Sequence, residues 1–273
     1  MCCRCCCMGS GSCGVKRMDN FSTIKTQLIT LDGKKAQSEQ KVLHEHKLSV
    51  FVNGAFFCDH ICTDDCLTEL VLGNLYTSGV LKDTATLPEI EISEDHSRAD
   101  VTDAKGNGYC NSVVGDSEDA LQRNRGRLVP RQEELSRAEQ SHEDQFSDHD
   151  HQRVLKLIGR FEEGMPLHRM TKGCHSSILL YEDEIVFAAE DIGRHNALDK
   201  AVGYMLLQQL SPEKCMVYTS GRAPADMVAK VIAAGIPVMV SKAIPTAEGA
   251  QLAKEHGLML IIRARADHYE IVM

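Results

Sequence analysis

The chain lacks any apolar run long enough to cross a bilayer as a helix. It also lacks an excess of positive charge. Its 30 Lys and Arg face 39 Asp and Glu, a formal net charge of -9. That balance argues against a general binder of nucleic acid or of anionic membrane, which needs a cationic surface. A local basic pocket is still compatible with it. There is no Walker-type Gly-Lys-Ser/Thr loop, and no Gly-x-Gly-x-x-Gly follows a strand pattern. Neither ATP hydrolysis nor a Rossmann NAD site is supported. The first residues have no leucine-rich apolar core and no cleavage-type pattern, so they do not read as a secretory signal. The expected compartment is therefore a reducing cytoplasm with free thiols.

What is present is ordinary for a globular chain of one or two domains: 273 residues, 43% hydrophobic and 25% charged. The twelve cysteines are unevenly placed, with Cys2, Cys3, Cys5, Cys6, Cys7 and Cys13 crowded at the start. Residues 1–22 read as a disordered, Cys-rich tail. A soft-metal or sulfur site is the alternative use of such a tail. Cys58, Cys62 and Cys66 recur every four residues but miss the common zinc and iron–sulfur spacings. Small core or turn residues describe them better.

Four segments follow from composition: the tail 1–22, an N-terminal domain 23–114, a charged linker 115–152 and an α/β domain 153–273. In the N-terminal domain, residues 47–54 alternate as a strand that ends in Asn53-Gly54, a hairpin signal. A helix after Asp64-Asp65 carries Leu67, Leu70, Val71 and Leu75 on one face. Residues 82–109 are polar and turn-rich. The linker is strongly charged and poor in aliphatics, and its histidines (His142, His149, His151) read as part of a solvated face. From residue 153 onward, helices are expected near 154–161, 196–209, 225–234 and 247–256. Strands are expected near 177–181, 184–189, 215–219, 236–241, 258–262 and 268–272. Gly235 is expected to close one helix and Thr246 to cap another. Strands alternating with helices predict a largely parallel sheet flanked by helices.

Residues 190–200, Glu-Asp-Ile-Gly-Arg-His-Asn-Ala-Leu-Asp-Lys, fall where a strand pattern gives way to a helix pattern. Ligands bind at such junctions because free backbone N–H groups point at them. Arg194 suits a phosphate or carboxylate fork and His195 a proton transfer or hydrogen bond. The structural alternative is a polar turn capped by Asp191 or Asn196. Ser220-Gly221-Arg222, Ser241-Lys242 and Arg263 with Arg265 stand after successive strands. Arg194, Arg222, Lys242 and Arg263 would together suit a phosphorylated ligand on an acidic protein. Cys174-His175 is a candidate thiol–base pair. Cys110, in Gly108-Tyr109-Cys110-Asn111-Ser112, is a candidate nucleophile or sulfur carrier if it is accessible.

The pattern resembles the formate dehydrogenase accessory protein family, FdhD. The resemblance rests on Glu190 through Ala197 with Asp199-Lys200, on Ser220-Gly221-Arg222 and on Pro245-Thr246-Ala247. It is extended by Val50-Phe51-Val52-Asn53-Gly54, by Leu70-Val71-Leu72-Gly73-Asn74-Leu75 and by Thr171-Lys172-Gly173-Cys174-His175. It covers about residues 43–114 and 153–273. It implies a cytoplasmic homodimer whose C-terminal domain is cytidine-deaminase-like, beside a smaller, partly β N-terminal domain. It also implies a sulfurtransferase that takes persulfide sulfur from a cysteine desulfurase. The sulfur goes to the molybdenum cofactor, in its bis-guanine-dinucleotide form, for formate dehydrogenase. The deaminase zinc signature, His-x-Glu with Pro-Cys-x-x-Cys, is absent, so zinc-dependent deamination is not expected and no metal site is assigned.

By this resemblance Cys110 is the catalytic sulfur carrier. The cofactor-binding set is Arg194, His195, Ser220, Gly221, Arg222, Lys242 and the stretch Arg263, Ala264, Arg265, Ala266, Asp267, His268. The family usually has a Cys-x-x-Cys loop; here Val113 takes the second cysteine's place. Lys172 stands where the family has glycine. A cofactor chaperone without sulfur transfer is the alternative that Val113 favours. A metal or redox sensor built on the tail is a third reading.

Overall fold

The structure, a computed structural model, describes residues 21–102 and 146–273. Cys110 and Val113, the cysteines at positions 2–13, and most of the charged linker lie outside the described residues.

The chain begins with a two-stranded ribbon, β1 (Phe21–Ile29) and β2 (Lys35–Leu43), paired antiparallel. A four-stranded sheet follows, in the order β4-β3-β6-β5. Its strands are β3 (His46–Val52), β4 (Ala55–Cys62), β5 (Glu89–Ile92) and β6 (Arg98–Thr102). Asn53 and Gly54 both take positive φ, 49° and 80°, as the tight β3–β4 turn requires. Between β4 and β5 runs α1 (Leu67–Thr77). Within the segment expected to be polar and turn-rich, residues 89–102 thus form two paired strands. Short alternations such as Arg98–Thr102 bury Ala99 and Val101, and parallel pairing with β3 holds them in place.

The second part opens with α2 (Asp148–Glu162) and the short α3 (Pro166–Thr171). A capping box between Ser147 and Asp150 starts α2 six residues before the expected position, inside the charged segment. A six-stranded sheet follows, in the order β12-β11-β10-β9-β7-β8. Its strands are β7 (His175–Tyr181), β8 (Glu184–Asp191), β9 (Cys215–Thr219), β10 (Val238–Ser241), β11 (Met259–Ile262) and β12 (Glu270–Ile271). The helices between them are α4 (Arg194–Leu207), α5 (Ala225–Ala233) and α6 (Ala247–Glu255). Thr246 caps α6 by accepting from the Gly249 amide at 3.1 Å, and Gly235 follows α5 at φ +71°. The prediction of a largely parallel sheet needs correction. Only β9, β10 and β11 are parallel; β7, β8 and β12 run antiparallel to their neighbours. The reason is connection length: β7 and β8 are joined by two residues, and a parallel pair needs a long crossover.

Alternation along the strands sends side chains to two sides. Ile178, Leu180, Met216, Tyr218, Val240 and Ile261 pack under Val154, Leu157, Ile158 and Phe161 of α2. Leu179, Val217, Met239 and Leu260 face the other way, into a core shared with α4, α5, α1 and the four-stranded sheet. Helices α1 and α4 cross closely at two glycines. A methyl carbon built on Gly73 would lie 1.9 Å from the Asp199 carbonyl oxygen, and one on Gly203 1.9 Å from that of Glu69. The crossing therefore excludes any side chain at either position.

Candidate functional site

The topology gathers remote pieces of sequence at one sheet edge. Parallel strands β9 and β10 end there, at Thr219 and Ser241. Antiparallel β7 starts at that edge with His175, and β8 ends there with Asp191, directly opposite. Backbone bonds join the loops. The Lys242 amide donates to the Thr219 carbonyl at 3.0 Å, and the Ala264 amide to the Ser241 carbonyl at 3.1 Å. The Ser241 hydroxyl donates to the Gly221 carbonyl at 2.9 Å.

An open cleft of about 450 Å³ lies along this edge, within the usual size range of small-ligand sites. Phe161, His168, Lys172, Gly173, Cys174, His175, Ser220 and Lys242 line it. The lining carries four basic side chains and no acid. Lys242 Nζ rests 4.3 Å from the centre of the Phe161 ring. Burial, and then the nearby Arg194 charge, lower the pKa of His175. His175 therefore enters the cleft as a neutral base at pH 7. Glu190, the acid beside Cys174, is already satisfied. It accepts from the Leu167 and His168 amides at 2.7 and 2.6 Å, and from the Cys174 thiol at 3.6 Å.

The strand–helix motif divides its work. Asp191 faces inward: it accepts from the Thr63 amide and hydroxyl, each at 3.1 Å, and pairs with Lys200 at 2.8 Å. Its other oxygen accepts from Gly193 N and Asn196 Nδ2 at 2.8 and 2.9 Å. Lys200 also reaches Asp65, at 2.5 Å. Burial opposes its charge, but Asp191 and Asp65 outweigh burial and raise its pKa. Asp199 pairs with Lys230 at 2.5 Å and accepts from Asn74 and Thr77 at 3.0 and 2.8 Å. These buried groups fasten α4 to α1, β4 and α5.

Arg194 and His195 do otherwise. Arg194 forms no ion pair or side-chain hydrogen bond among the described residues, and its buried Nε has no partner. Gly221 leaves it room: a methyl there would lie 3.2 Å from Arg194 Cβ. His195 Nε2 lies 2.8 Å from Asp226 Oδ2. Burial would raise the Asp226 pKa, but the His195 partner prevails and it is pushed down to about 2. The pair holds the imidazole in a fixed orientation.

The other expected site residues separate into two groups. Ser220 and Lys242 line the cleft, with Ser220 Oγ accepting from the Ser176 amide at 2.9 Å. Gly221 packs behind, on Arg194. Arg222 is exposed and does not line the cleft. Nor do residues 263–268. Arg263 has φ 51° and lies 3.4 Å from Glu270; Ala264 is buried. The Arg265 amide donates to the His268 carbonyl at 2.9 Å, Ala266 is exposed, and Asp267 pairs with His268 at 2.9 Å. Cys174 and His175 line the cleft but are no thiol–base pair. The thiol is directed to Glu190, and burial followed by that carboxylate pushes its pKa up to about 12. Phe161 and His168 escaped the sequence reading. The nearest signal was the segment 171–175, which follows His168 by one helical turn. Among the described residues no three His, Cys, Asp or Glu side chains are grouped to hold a metal ion. Cys58 and Cys62 are buried.

Residues 43–273 match the model of the FdhD/NarQ family. The chain is 29% identical over 257 residues to a "Sulfur carrier protein FdhD" of Bacillus licheniformis, covering 92% of this chain and 95% of that one. It is 29% identical over 250 residues to the protein of that name from Wolinella succinogenes, covering 86% and 82%. A crystal structure described as that of a formate dehydrogenase accessory protein, from Desulfotalea psychrophila, superposes with a TM-score of 0.70. The two are 22% identical over 92% of this chain and 96% of that one, and share the fold. With its match spanning the ribbon's end, both sheets and the cleft, the chain belongs to the FdhD/NarQ family.

Proposed function

We propose that this protein is a sulfur carrier for the maturation of formate dehydrogenase. The observation that carries the reading is a cationic, acid-free cleft on an acidic family member whose relatives are named sulfur carriers. Cys110 takes sulfur from a cysteine desulfurase. Its thiolate attacks the outer sulfur of the desulfurase persulfide, and the desulfurase cysteine leaves as a thiolate that takes up a proton. Sulfur changes hands with no net oxidation. The molybdenum cofactor, in its bis-guanine-dinucleotide form, is the cargo that would receive it; delivery at the sulfide level would return the Cys110 thiolate and consume two electrons from a thiol reductant. Lys242, Ser220 and Arg194 suit its phosphates, and neutral His175 and the Asp226-held His195 suit proton exchange beside it. The reading includes a cytoplasmic homodimer and a cytidine-deaminase-like C-terminal domain. In support of the latter stands a mixed sheet with helices on both faces.

Val113 removes a two-cysteine relay through the loop, and the protonated Cys174 is poorly suited to replace it. One sulfur carrier is chemically sufficient. Intact-protein mass spectrometry after incubation with a cysteine desulfurase and cysteine tests this. Wild type should gain about 32 Da, one sulfur atom, and Cys110→Ala should gain nothing. No gain in wild type would contradict the carrier and leave the cofactor chaperone.

A further inference from the structure

Lys172 sits at the C-terminal end of α3 with φ 55° and ψ 9°, its amide donating to the His168 carbonyl at 2.9 Å. This is the left-handed region, which glycine enters freely and a residue with a Cβ enters at a cost. Helices commonly end in glycine for that reason. Nothing local repays lysine for the position. Among the described residues its ammonium has no ion pair or hydrogen bond, and the side chain is exposed. Its distinctive property is its place. It lines the cleft with Lys242, His168 and His175, beside Arg194, whose buried Nε has no partner among the described residues. The neighbouring carboxylate, Glu190, is already bonded to two amides and a thiol. Lys172 and Lys242 stand in this lining without a carboxylate partner among the described residues, and like charges repel, so an anion between them is favoured. Lys172 and Lys242 come from different elements and both line the cleft, which suits a ligand with two adjacent anionic groups.

We propose that Lys172 is a specificity residue that meets the diphosphate of the cleft's ligand, held there at the expense of backbone strain. The proposal deepens the cleft half of the reading above and does not depend on Cys110 or on sulfur transfer. The strain and the charge make opposite demands, and that separates a ligand contact from a structural role.

The test titrates inorganic pyrophosphate into wild type, Lys172→Gly, Lys172→Asn and Lys172→Arg by calorimetry, and records each melting midpoint. Lys172→Gly and Lys172→Asn should weaken pyrophosphate binding about tenfold, the loss of one charge-assisted contact. Their midpoints should hold or rise, because both residues tolerate the left-handed conformation. Lys172→Arg should keep most of the affinity. The same series with guanosine diphosphate should lose the same factor, since Lys172 meets phosphates and not the base. Equal affinity of wild type and Lys172→Gly would overturn the proposal and leave the cleft reading standing. No pyrophosphate binding by wild type would overturn both. A loss of affinity with a fall in midpoint would overturn it too, as would a loss seen with guanosine diphosphate alone. The first would make Lys172 a support of the loop, and the second a contact of the base.

Discussion

The two sides of the β8–α4 junction carry similar residue types and use them differently. On the inner side, Asp191, Lys200, Asp199 and Lys230 are fully buried, and each is paired. On the outer side, Lys172 and Lys242 have no carboxylate partner among the described residues, and Arg194 Nε has none of any kind. A charge that leaves water must be satisfied by the protein, and these inner charges are satisfied by the protein alone. The outer charges are arranged without that satisfaction. The contrast teaches that a dense polar motif is not by itself a site. What marks the site is the part of the motif whose partners are missing.

That comparison can be broken from the inner side, where the largest effect is expected. Asp191→Ala would leave Lys200 buried with the half-exposed Asp65 as its one carboxylate partner among the described residues, beside the Thr63 hydroxyl. The expected loss is about 3–5 kcal/mol of folding stability, as for other buried pairs with one partner removed. Urea denaturation measures it. A loss within experimental error would show that the inner network is as dispensable as a surface pair.

A smaller effect comes from pH. His60 is buried against Cys58, 3.3 Å away, and its Nδ1 has no hydrogen-bond partner among the described residues. Burial lowers its pKa below the ordinary 6.5, and the same direction holds for His175. The unfolded chain then binds more protons than the folded one below pH 6.5, so their contribution is present above that pH. It is lost as pH falls toward the folded values, at no more than about 1.4 kcal/mol per pH unit for each group. Melting midpoints should fall between pH 7 and pH 5, and less steeply in His60→Gln. A parallel slope in the variant would remove His60 from the account.

The comparison also explains what was legible before the structure. The helices and strands of residues 175–262 carried clear patterns, because strands buried on both sides read as apolar runs between helical stripes. The β1–β2 ribbon carried none: none of its side chains is buried and most are exposed, so no apolar face marks it as a strand. Ser220, Lys242 and Arg194 were visible because strand ends are visible. Arg222 and Arg263 stand at equivalent strand ends, yet the loops turn them to solvent. The inward role of Asp191 and Lys200 depends on Thr63 and Asp65, far away in sequence, and no local pattern reports such a pairing. His168 and Lys172 join the cleft only because β7 runs antiparallel to β9 and brings its start to the edge where the parallel strands end.

The smallest expected effect on stability belongs to the outer side, and it gives the most direct test of the division. Lys242 gives up only its contact with the Phe161 ring when truncated, worth about 0.5–1 kcal/mol. The measurement is the formate dehydrogenase activity restored by Lys242→Ala in cells lacking the wild-type chain, set against the variant's melting midpoint. The expected result is an activity reduced at least about tenfold, one charge-assisted contact, with a midpoint within a few degrees of wild type. Full activity from Lys242→Ala would contradict it, because the cleft would then carry a charge that its function does not use.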